Sequence, residues 1–250
     1  MNKIILFTKR NTKEILRDPI NLFFGLGFPI VLIVLLSVIN NAIPAEANNT
    51  MFIIENLAPN MAVFGLCFMA LFSGMLIAQD RTSSFMIRLF TSPMKSMHFI
   101  LGYLLPIVFI GVCQSIITFT VAIFLGFELT INIFWGIFSL IPTTIMFTGL
   151  GLIGGSLMNE KAVGGVIGAL LTNLTGFLSG AFIPIELIGG SFLAICKALP
   201  FYHAAQGTVY AIQGDLISMF SHLWIVTIYA IIIIIFAIIV FTRKMKSDNH

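Results

Sequence analysis

Residues able to do chemistry are few and widely spaced in this sequence. The histidines and cysteines are His98, His203, His222, His250, Cys67, Cys113 and Cys196, with no Cys-x-x-Cys pair among them. Metal sites and nucleophilic centres need such groups at motif spacing, and only Glu186, Cys196 and His203 share one short segment. The sequence therefore predicts no metal site, no catalytic cluster and no disulfide framework.

Phosphate-binding and hydrolase motifs are also missing. The ATP-binding loop G-x-x-x-x-G-K-[ST] needs a Gly-Lys dipeptide, which does not occur in the chain, and neither H-E-x-x-H nor G-x-S-x-G is present. We therefore predict that the chain is not an enzyme. Any ATP that drives it must be bound by another polypeptide.

Composition indicates the setting in which these sparse groups are held. Hydrophobic residues make up 58% of the 250 residues and charged residues 9%, with a mean hydropathy of +1.06. Soluble domains carry about 25% charged residues. The chain is predicted to be a single all-α, polytopic transmembrane domain over residues 1–250, because its six apolar segments are each too long for a barrel strand. The predicted spans are 22–39, 60–78, 99–127, 131–157, 162–183 and 222–242.

The first apolar segment could also be the core of a cleaved signal peptide, since Ala45-Glu46-Ala47 resembles a cleavage site. Its apolar stretch is longer than a typical signal core, and about 20 residues precede it. We therefore interpret it as an uncleaved membrane anchor.

The basic residues predict the orientation in the membrane. With six spans, both termini and the loops after spans two and four lie on one side, and that side holds 12 of the 13 Lys and Arg residues. The exception is Lys197. Because basic residues concentrate in cytoplasmic loops, both termini are predicted to be cytoplasmic.

The segment 1–18 is predicted to be an amphipathic helix in the inner interface. Lys9, Lys13 and Arg17 recur every four residues and form a basic stripe beside an imperfect apolar face. Asp18-Pro19 has the form of an N-cap followed by a proline at the first helical position, so span one should begin there. The alternative is a simple basic tether.

The loop 80–97 is predicted to be an ordered cytoplasmic knuckle. Thr82, Ser83 or Ser84 could cap a short helix with an apolar side, and Ser92-Pro93 would start the run into span three. The alternative is a solvated turn whose basic residues only follow the charge rule.

A resemblance favours the ordered knuckle. The chain resembles the membrane subunit of ABC-2 type ATP-binding-cassette exporters, which carry a coupling helix between spans two and three. Matching positions in this loop are Asp80-Arg81, Arg88-Leu89, Ser92-Pro93 and Leu101-Gly102-Tyr103. The chain departs from the family pattern at Ser84-Phe85, where Gly-Thr is usual, and at Ile87, where an acidic residue is common.

The resemblance implies a set of residues and partners. The ATPase-coupling residues would be Arg81, Phe85, Arg88, Leu89, Phe90, Ser92, Pro93 and Lys95. The partners would be cytoplasmic ABC ATPase subunits carrying ATP and Mg, and a second copy of the chain or a homologous permease. The cargo would be an amphiphilic drug, peptide or lipid-linked molecule exported across a bacterial cytoplasmic membrane, with no nucleic acid involved.

The stretch Gly176–Gly207 forms the second matching block, through Ser179-Gly180, Phe182, Pro184, Leu199-Pro200 and Phe201-Tyr202. It overlaps the outer segment 184–218, whose part Leu187–Ala198 is apolar, broken by glycine and bounded by prolines, so we predict short re-entrant or interfacial helices on the outer side. Pro184, Glu186 and Pro200 are its candidate functional residues.

Polar side chains inside the predicted spans are the candidates for a translocation path: Gln114, Thr118, Thr172, Asn173 and Thr175. The alternative is that they only join helices, as do the two G-x-x-x-G pairs at Gly151–Gly155 and Gly164–Gly168. No ionisable residue lies in a predicted span interior, which disfavours an ion-coupled carrier. An ATPase-independent channel or scaffold remains the rival function.

Overall fold

The computed structural model describes residues 2–43, 53–83, 96–183 and 185–247, and every regular element in these ranges is a helix. The described helices are α1 (Asn2–Leu16), α2 (Pro19–Ala42), α3 (Ile54–Thr82), α4 (Ser96–Phe124), α5 (Asn132–Leu157), α6 (Glu160–Leu178), α7 (Ile185–Ile188), α8 (Gly190–Ala198), α9 (Pro200–Gln213) and α10 (Leu216–Ser247).

Six of these helices, α2 to α6 and α10, are long and apolar enough to cross a membrane. This confirms the predicted all-α architecture with six spans. The remaining described helices are α1 at the amino terminus and α7 to α9 between the last two spans.

Helix starts follow the local capping chemistry. Asp18 has an extended backbone and its Oδ1 accepts the backbone N–H of Asn21 at 3.0 Å, with Pro19 at the first helical position. This confirms the predicted cap, which separates α1 from α2. One turn of π-helix, Phe23–Gly27, interrupts α2, and a longer one, Gly164–Leu171, interrupts α6.

Helix α3 is the centre of the bundle. In its most apolar window 89% of the residues are buried, against 22% in the corresponding windows of α2, α6 and α10. It packs most closely on α5, where Gly151 and Gly155 face the backbone carbonyls of Ala70 and Gly74 and leave no room for a Cβ. Ser73 Oγ also donates to Thr148 O at 2.9 Å. Gly151–Gly155 therefore joins helices within one chain.

The other glycine pair packs less closely. Gly168 faces the side chain of Leu71 on α3, whereas no atom lies within 4 Å of the Cβ position at Gly164. The α6 helix thus contacts α3 through only part of this pair.

The end of α3 differs from the prediction. The helix continues to Thr82, so Asp80 and Arg81 belong to its last turn and not to a loop beginning at residue 80. The hydroxyls of Thr82 and Ser83 donate back to Gln79 O and Asp80 O at the end of α3. The short helix predicted to follow lies outside the described residues, which resume at Ser96.

Candidate functional site

Helix α1 packs against the start of α4 through one face. Phe7, Asn11 and Ile15 are buried on this face, and the Phe7 ring meets the edges of Phe99 and Tyr103 at centroid distances of 5.9 and 4.9 Å. The ring lies on Gly102, where a Cβ would overlap it. Asn11 Nδ2 donates to the Gly102 carbonyl at 2.9 Å. A small residue at position 102 is therefore required for this contact.

An ion pair between half-buried Arg10 and buried Asp80 joins α1 to the end of α3. Arg10 Nη1 and Nη2 each lie 2.6 Å from one oxygen of the Asp80 carboxylate, which gives a bidentate pair between residues 70 positions apart. Tyr103 Oη on α4 donates to Asp80 Oδ2 at 2.7 Å. We call Arg10, Asn11, Glu14, Asp80 and Tyr103 the basal junction.

The junction satisfies a carboxylate that would otherwise be costly to bury. Asp80 is only 3% exposed and receives three hydrogen bonds, two from Arg10 and one from Tyr103. Unpaired buried charges cost several kcal/mol, whereas a bidentate guanidinium with additional donors offsets that cost. The ends of α1, α3 and α4 are consequently held in one geometry by one carboxylate.

Glu14 forms the outer edge of the junction. Its Oε1 accepts from Arg10 Nη2 at 2.6 Å, and its Oε2 has no hydrogen-bond partner. Burial raises the pKa of the Glu14 carboxyl above its usual value, and the charge of Arg10 only partly opposes this. Burial lowers the pKa of Arg10, but the hydrogen bond and charge of Asp80 outweigh it and raise the pKa overall.

Arg81 extends the junction to a fourth helix. Its Nη1 donates to the Gly155 carbonyl at 3.1 Å, in the last turn of α5. Cations are favoured at helix carboxyl ends, where backbone carbonyls lack partners. Asp80 and Arg81, adjacent in sequence, thus connect α3 to α1 and α4 on one side and to α5 on the other.

The predicted basic stripe lies on the opposite face of α1. Lys9, Lys13 and Arg17 are all exposed, and exposed Ile5 and Leu16 share that face. The structure therefore divides α1 between a buried face carrying the junction and an exposed face that is both basic and apolar.

Most of the predicted coupling residues have no structural description. Of that set the structure describes Arg81 alone, because Phe85, Arg88, Leu89, Phe90, Ser92, Pro93 and Lys95 lie outside the described residues. In the segment after span five, Pro200 is buried at the start of α9, whereas Pro184 and the Glu186 side chain are outside the described part.

The five polar residues proposed for a translocation path are not brought together. Gln114 and Thr118 are buried and hydrogen-bond to each other at 3.0 Å. Thr172 Oγ1 lies 3.7 Å from Cys67 Sγ, and Thr175 is buried with its hydroxyl on the Leu171 carbonyl. Of the five, only Asn173 is exposed, and its Nδ2 donates to Ala169 O.

His203 has a different neighbour from the one considered from sequence. Among the described residues, no group of three or more His, Cys, Asp or Glu side chains could hold a metal ion. His203 of α9 instead faces His222 of α10, with 2.8 Å between their Nδ1 atoms. The Glu186 side chain lies outside the described residues, so the trio of Glu186, Cys196 and His203 stays a sequence-level alternative.

Sequence reasoning missed Arg10 and Tyr103 as partners of Asp80, and Asn11 and Glu14 as their neighbours in the junction. Arg10, directly after Lys9, does not fit the four-residue spacing of Lys9, Lys13 and Arg17. That irregularity, beside an acidic residue at the end of a span, was the available signal.

Comparison with known proteins places most of the chain in one family model. A family model described as ABC-2 type transporter matches residues 2–212, which include α1, the junction and the helices through α9. No curated protein sequence matches the chain.

Proposed function

Since the chain belongs to the ABC-2 type transporter family and is a multi-pass membrane component of an ABC transporter, we propose that it is the permease half of an exporter driven by separate ATPase subunits. ATP and Mg would be bound by those subunits. A second copy of the chain, or a homologous permease, would complete the membrane part.

The observation that carries this proposal is the basal junction. Asp80 and Arg81 lie in the last turn of the most buried span, at the start of the predicted coupling loop 80–97, where an ATPase would dock. Movement of that segment acts first on Asp80, which is bonded to α1 through Arg10 and to α4 through Tyr103. Because the pair is bidentate and its carboxylate is buried, α1, α3 and α4 would move as one unit.

The orientation and location are part of the same proposal. The positive-inside distribution favours both termini in the cytoplasm of a bacterial cell, where the ATPase would reach α1 and the loop 80–97. A thiol-reactive, membrane-impermeant reagent should label Gln213→Cys in intact cells and Lys13→Cys only after permeabilisation. The reverse pattern would contradict this orientation.

The composition of the spans supports the proposed substrate class. The described spans hold no ionisable side chain away from their ends, and their exposed surface is dominated by aliphatic and phenylalanine side chains. Such a surface suits an amphiphilic drug, peptide or lipid-linked molecule, and energy coupling by ions has no mid-depth carboxylate to use.

The test is purification of the tagged chain from its own cell, with ATP hydrolysis measured for the complex. We expect an ABC ATPase to co-purify and amphiphilic compounds to stimulate hydrolysis. Arg88→Glu should lose the ATPase, whereas Arg10→Gln should keep it and lose stimulation, because docking would remain while transmission through Asp80 would not.

Lys13→Gln, on the exposed face of the same helix, is the matched control and should behave like the wild type. Absence of any ATPase from the purified wild-type chain would contradict the permease proposal and favour the channel or scaffold. Full stimulation in a correctly inserted Arg10→Gln variant would instead contradict only the role of the junction.

A further inference from the structure

Two imidazole rings meet at the end of the bundle opposite the basal junction. On helix α10, His222 lies beside His203. Phe241 lies further along the same helix, and its ring centroid is 6.0 Å from that of Phe99, next to the junction. At about 1.5 Å per helical residue, His222 and Phe241 are about 28 Å apart. We call His203 and His222, with the Lys197 carbonyl, the distal histidine pair.

The distance between the rings fixes how many hydrogens lie between them. His203 Nδ1 and His222 Nδ1 are 2.8 Å apart, which is hydrogen-bond distance. One hydrogen between the nitrogens makes a bond, whereas two lone pairs or two N–H groups would repel each other. The contact therefore holds a single shared hydrogen.

A third group assigns the tautomers. His203 Nε2 lies 2.8 Å from the carbonyl oxygen of Lys197, which can only accept, so this nitrogen carries a hydrogen. In the neutral pair His203 Nδ1 is then the acceptor and His222 Nδ1 the donor. The chain of bonds runs from α10 through α9 to the end of α8.

The same geometry limits how many protons the two rings can bind before the bridge between them breaks. A first extra proton can occupy His222 Nε2 and leave the bridge intact. A second would put a hydrogen on both Nδ1 atoms and a positive charge on both rings, so the bridge would break by like-charge repulsion. Coupled groups of this kind take up their protons in two separate steps.

Aromatic rings surround the two imidazoles in the described part of the chain. Tyr210 stacks on His222 with 5.5 Å between the ring centroids. The ring centroid of Tyr202 lies 5.6 Å from that of His203 and 6.1 Å from that of His222. No described carboxylate lies within 4.0 Å of either imidazole.

Charged groups on the neighbouring helices are directed elsewhere. Asp215 is exposed and bonded to Ser218 N and Oγ, while the side chains of Glu55 on α3 and Lys197 on α8 are exposed. Helix α5, which packs on both α9 and α10, contributes no titratable side chain.

We infer that the distal histidine pair is a proton-operated latch that fastens α8 and α9 to α10 and opens when the second proton binds. Its ligand is the proton. The second proton removes the imidazole bridge between α9 and α10, while the bond from Tyr229 Oη of α10 to the Ala198 carbonyl stays in place, so the segment between Lys197 and His203 is then held to the last span by fewer bonds.

The direct test is nuclear magnetic resonance of the chain labelled with ¹⁵N-histidine in micelles containing EDTA, titrated from pH 8 to 4.5. We expect His203 and His222 to titrate in two separated steps, and His203 of the His222→Gln variant to titrate in one. His98 and His250 are internal controls that should not change between the two proteins. Independent single steps for both rings, unchanged by His222→Gln, would overturn the inference.

The mechanical consequence is tested with spin labels at Ile195→Cys and Ile217→Cys, two exposed positions on α8 and α10, in a background without the native cysteines. The distance distribution should be narrow at pH 8 and broaden at pH 5, and the variant with both histidines changed to glutamine should be broad at both. A distribution that stays narrow at pH 5 would overturn the latch. If added Zn²⁺ narrows the distance distribution at pH 5, the ligand of the histidine pair is a metal ion and not the proton.

Discussion

At the basal end, a half-buried guanidinium and a buried carboxylate hold α1, α3 and α4 together. At the distal end, neutral rings, a hydroxyl and backbone carbonyls hold α8, α9 and α10. Both ends connect three helices through side-chain hydrogen bonds. They differ in what happens when one partner is lost. Removing a partner from a buried ion pair leaves a charge without solvent, whereas removing a neutral partner leaves a group that water can reach.

This difference matches what each end would have to do. A junction that transmits force must keep its geometry under load, and charge-assisted bidentate bonds are both strong and directional. A segment that has to open needs bonds that are weaker and that respond to solution conditions. The two ends can therefore be compared by breaking equivalent bonds in each.

The largest effect is expected for Arg10→Ala. Asp80 would keep only the Tyr103 hydroxyl as a partner while staying buried, so the free energy of unfolding should fall by about 3–5 kcal/mol. Unfolding by sodium dodecyl sulfate in mixed micelles measures this. Lys9→Ala, at the adjacent exposed position, should change stability by less than about 0.5 kcal/mol. Equal losses of stability in the two variants would show that burying the Asp80 carboxylate does not depend on its pairing with Arg10.

The next effect is expected for Tyr103→Phe. The ring stays against Phe7 and only the hydrogen bond to the Asp80 carboxylate is lost, so stability should fall by about 1.5–3 kcal/mol. The same unfolding assay applies. Combined with Arg10→Ala, the losses should not add, because both residues bind one carboxylate. Strict additivity would contradict a shared site.

Tyr229→Phe makes the same chemical change near the distal end. Tyr229 Oη donates to the Ala198 carbonyl at 2.7 Å in an exposed setting. A neutral acceptor that water can replace makes this bond worth about 0.5–1.5 kcal/mol. The two Tyr→Phe variants, measured side by side, therefore compare the ends directly, and a larger loss at Tyr229 than at Tyr103 would reverse the ranking proposed here.

The sequence could predict the spans but not the contacts that distinguish the ends. Hydropathy determines the spans, and the Asp18-Pro19 cap is local, so both follow from nearby residues. The Arg10–Asp80 pair joins residues far apart in the chain, so no local pattern predicts it. The charge at position 80 predicts the end of an apolar segment, but the helix continues to Thr82. Burial of Asp80 depends on α1 folding back onto α3 and α4, which no local pattern encodes.

The same reasoning applies to the histidines. His203 and His222 lie on different helices, and their spacing of 19 residues corresponds to no motif. What brings them together is the turn at Gly214, where a left-handed residue with φ +81° ends α9 and sends α10 back alongside it. Glycine adopts this conformation without strain, so the turn itself has a sequence signal although the pairing does not.

The smallest effect is expected for Glu14→Gln, and it carries a pH dependence of definite sign. Burial raises the pKa of Glu14 in the folded chain, so the folded state binds this proton more tightly than the unfolded state. Its contribution to stability is therefore complete below the ordinary glutamic acid pKa of about 4.3 and is lost as the pH rises through the raised value.

At pH 7 the substitution should change stability by less than about 0.5 kcal/mol, because the side chain is partly exposed and its charge is not favoured. As the pH falls towards 4, the wild type should gain stability relative to Glu14→Gln in the same unfolding assay. A wild type that instead loses stability relative to the variant on acidification would mean that the ion pair with Arg10 outweighs burial at this edge of the junction.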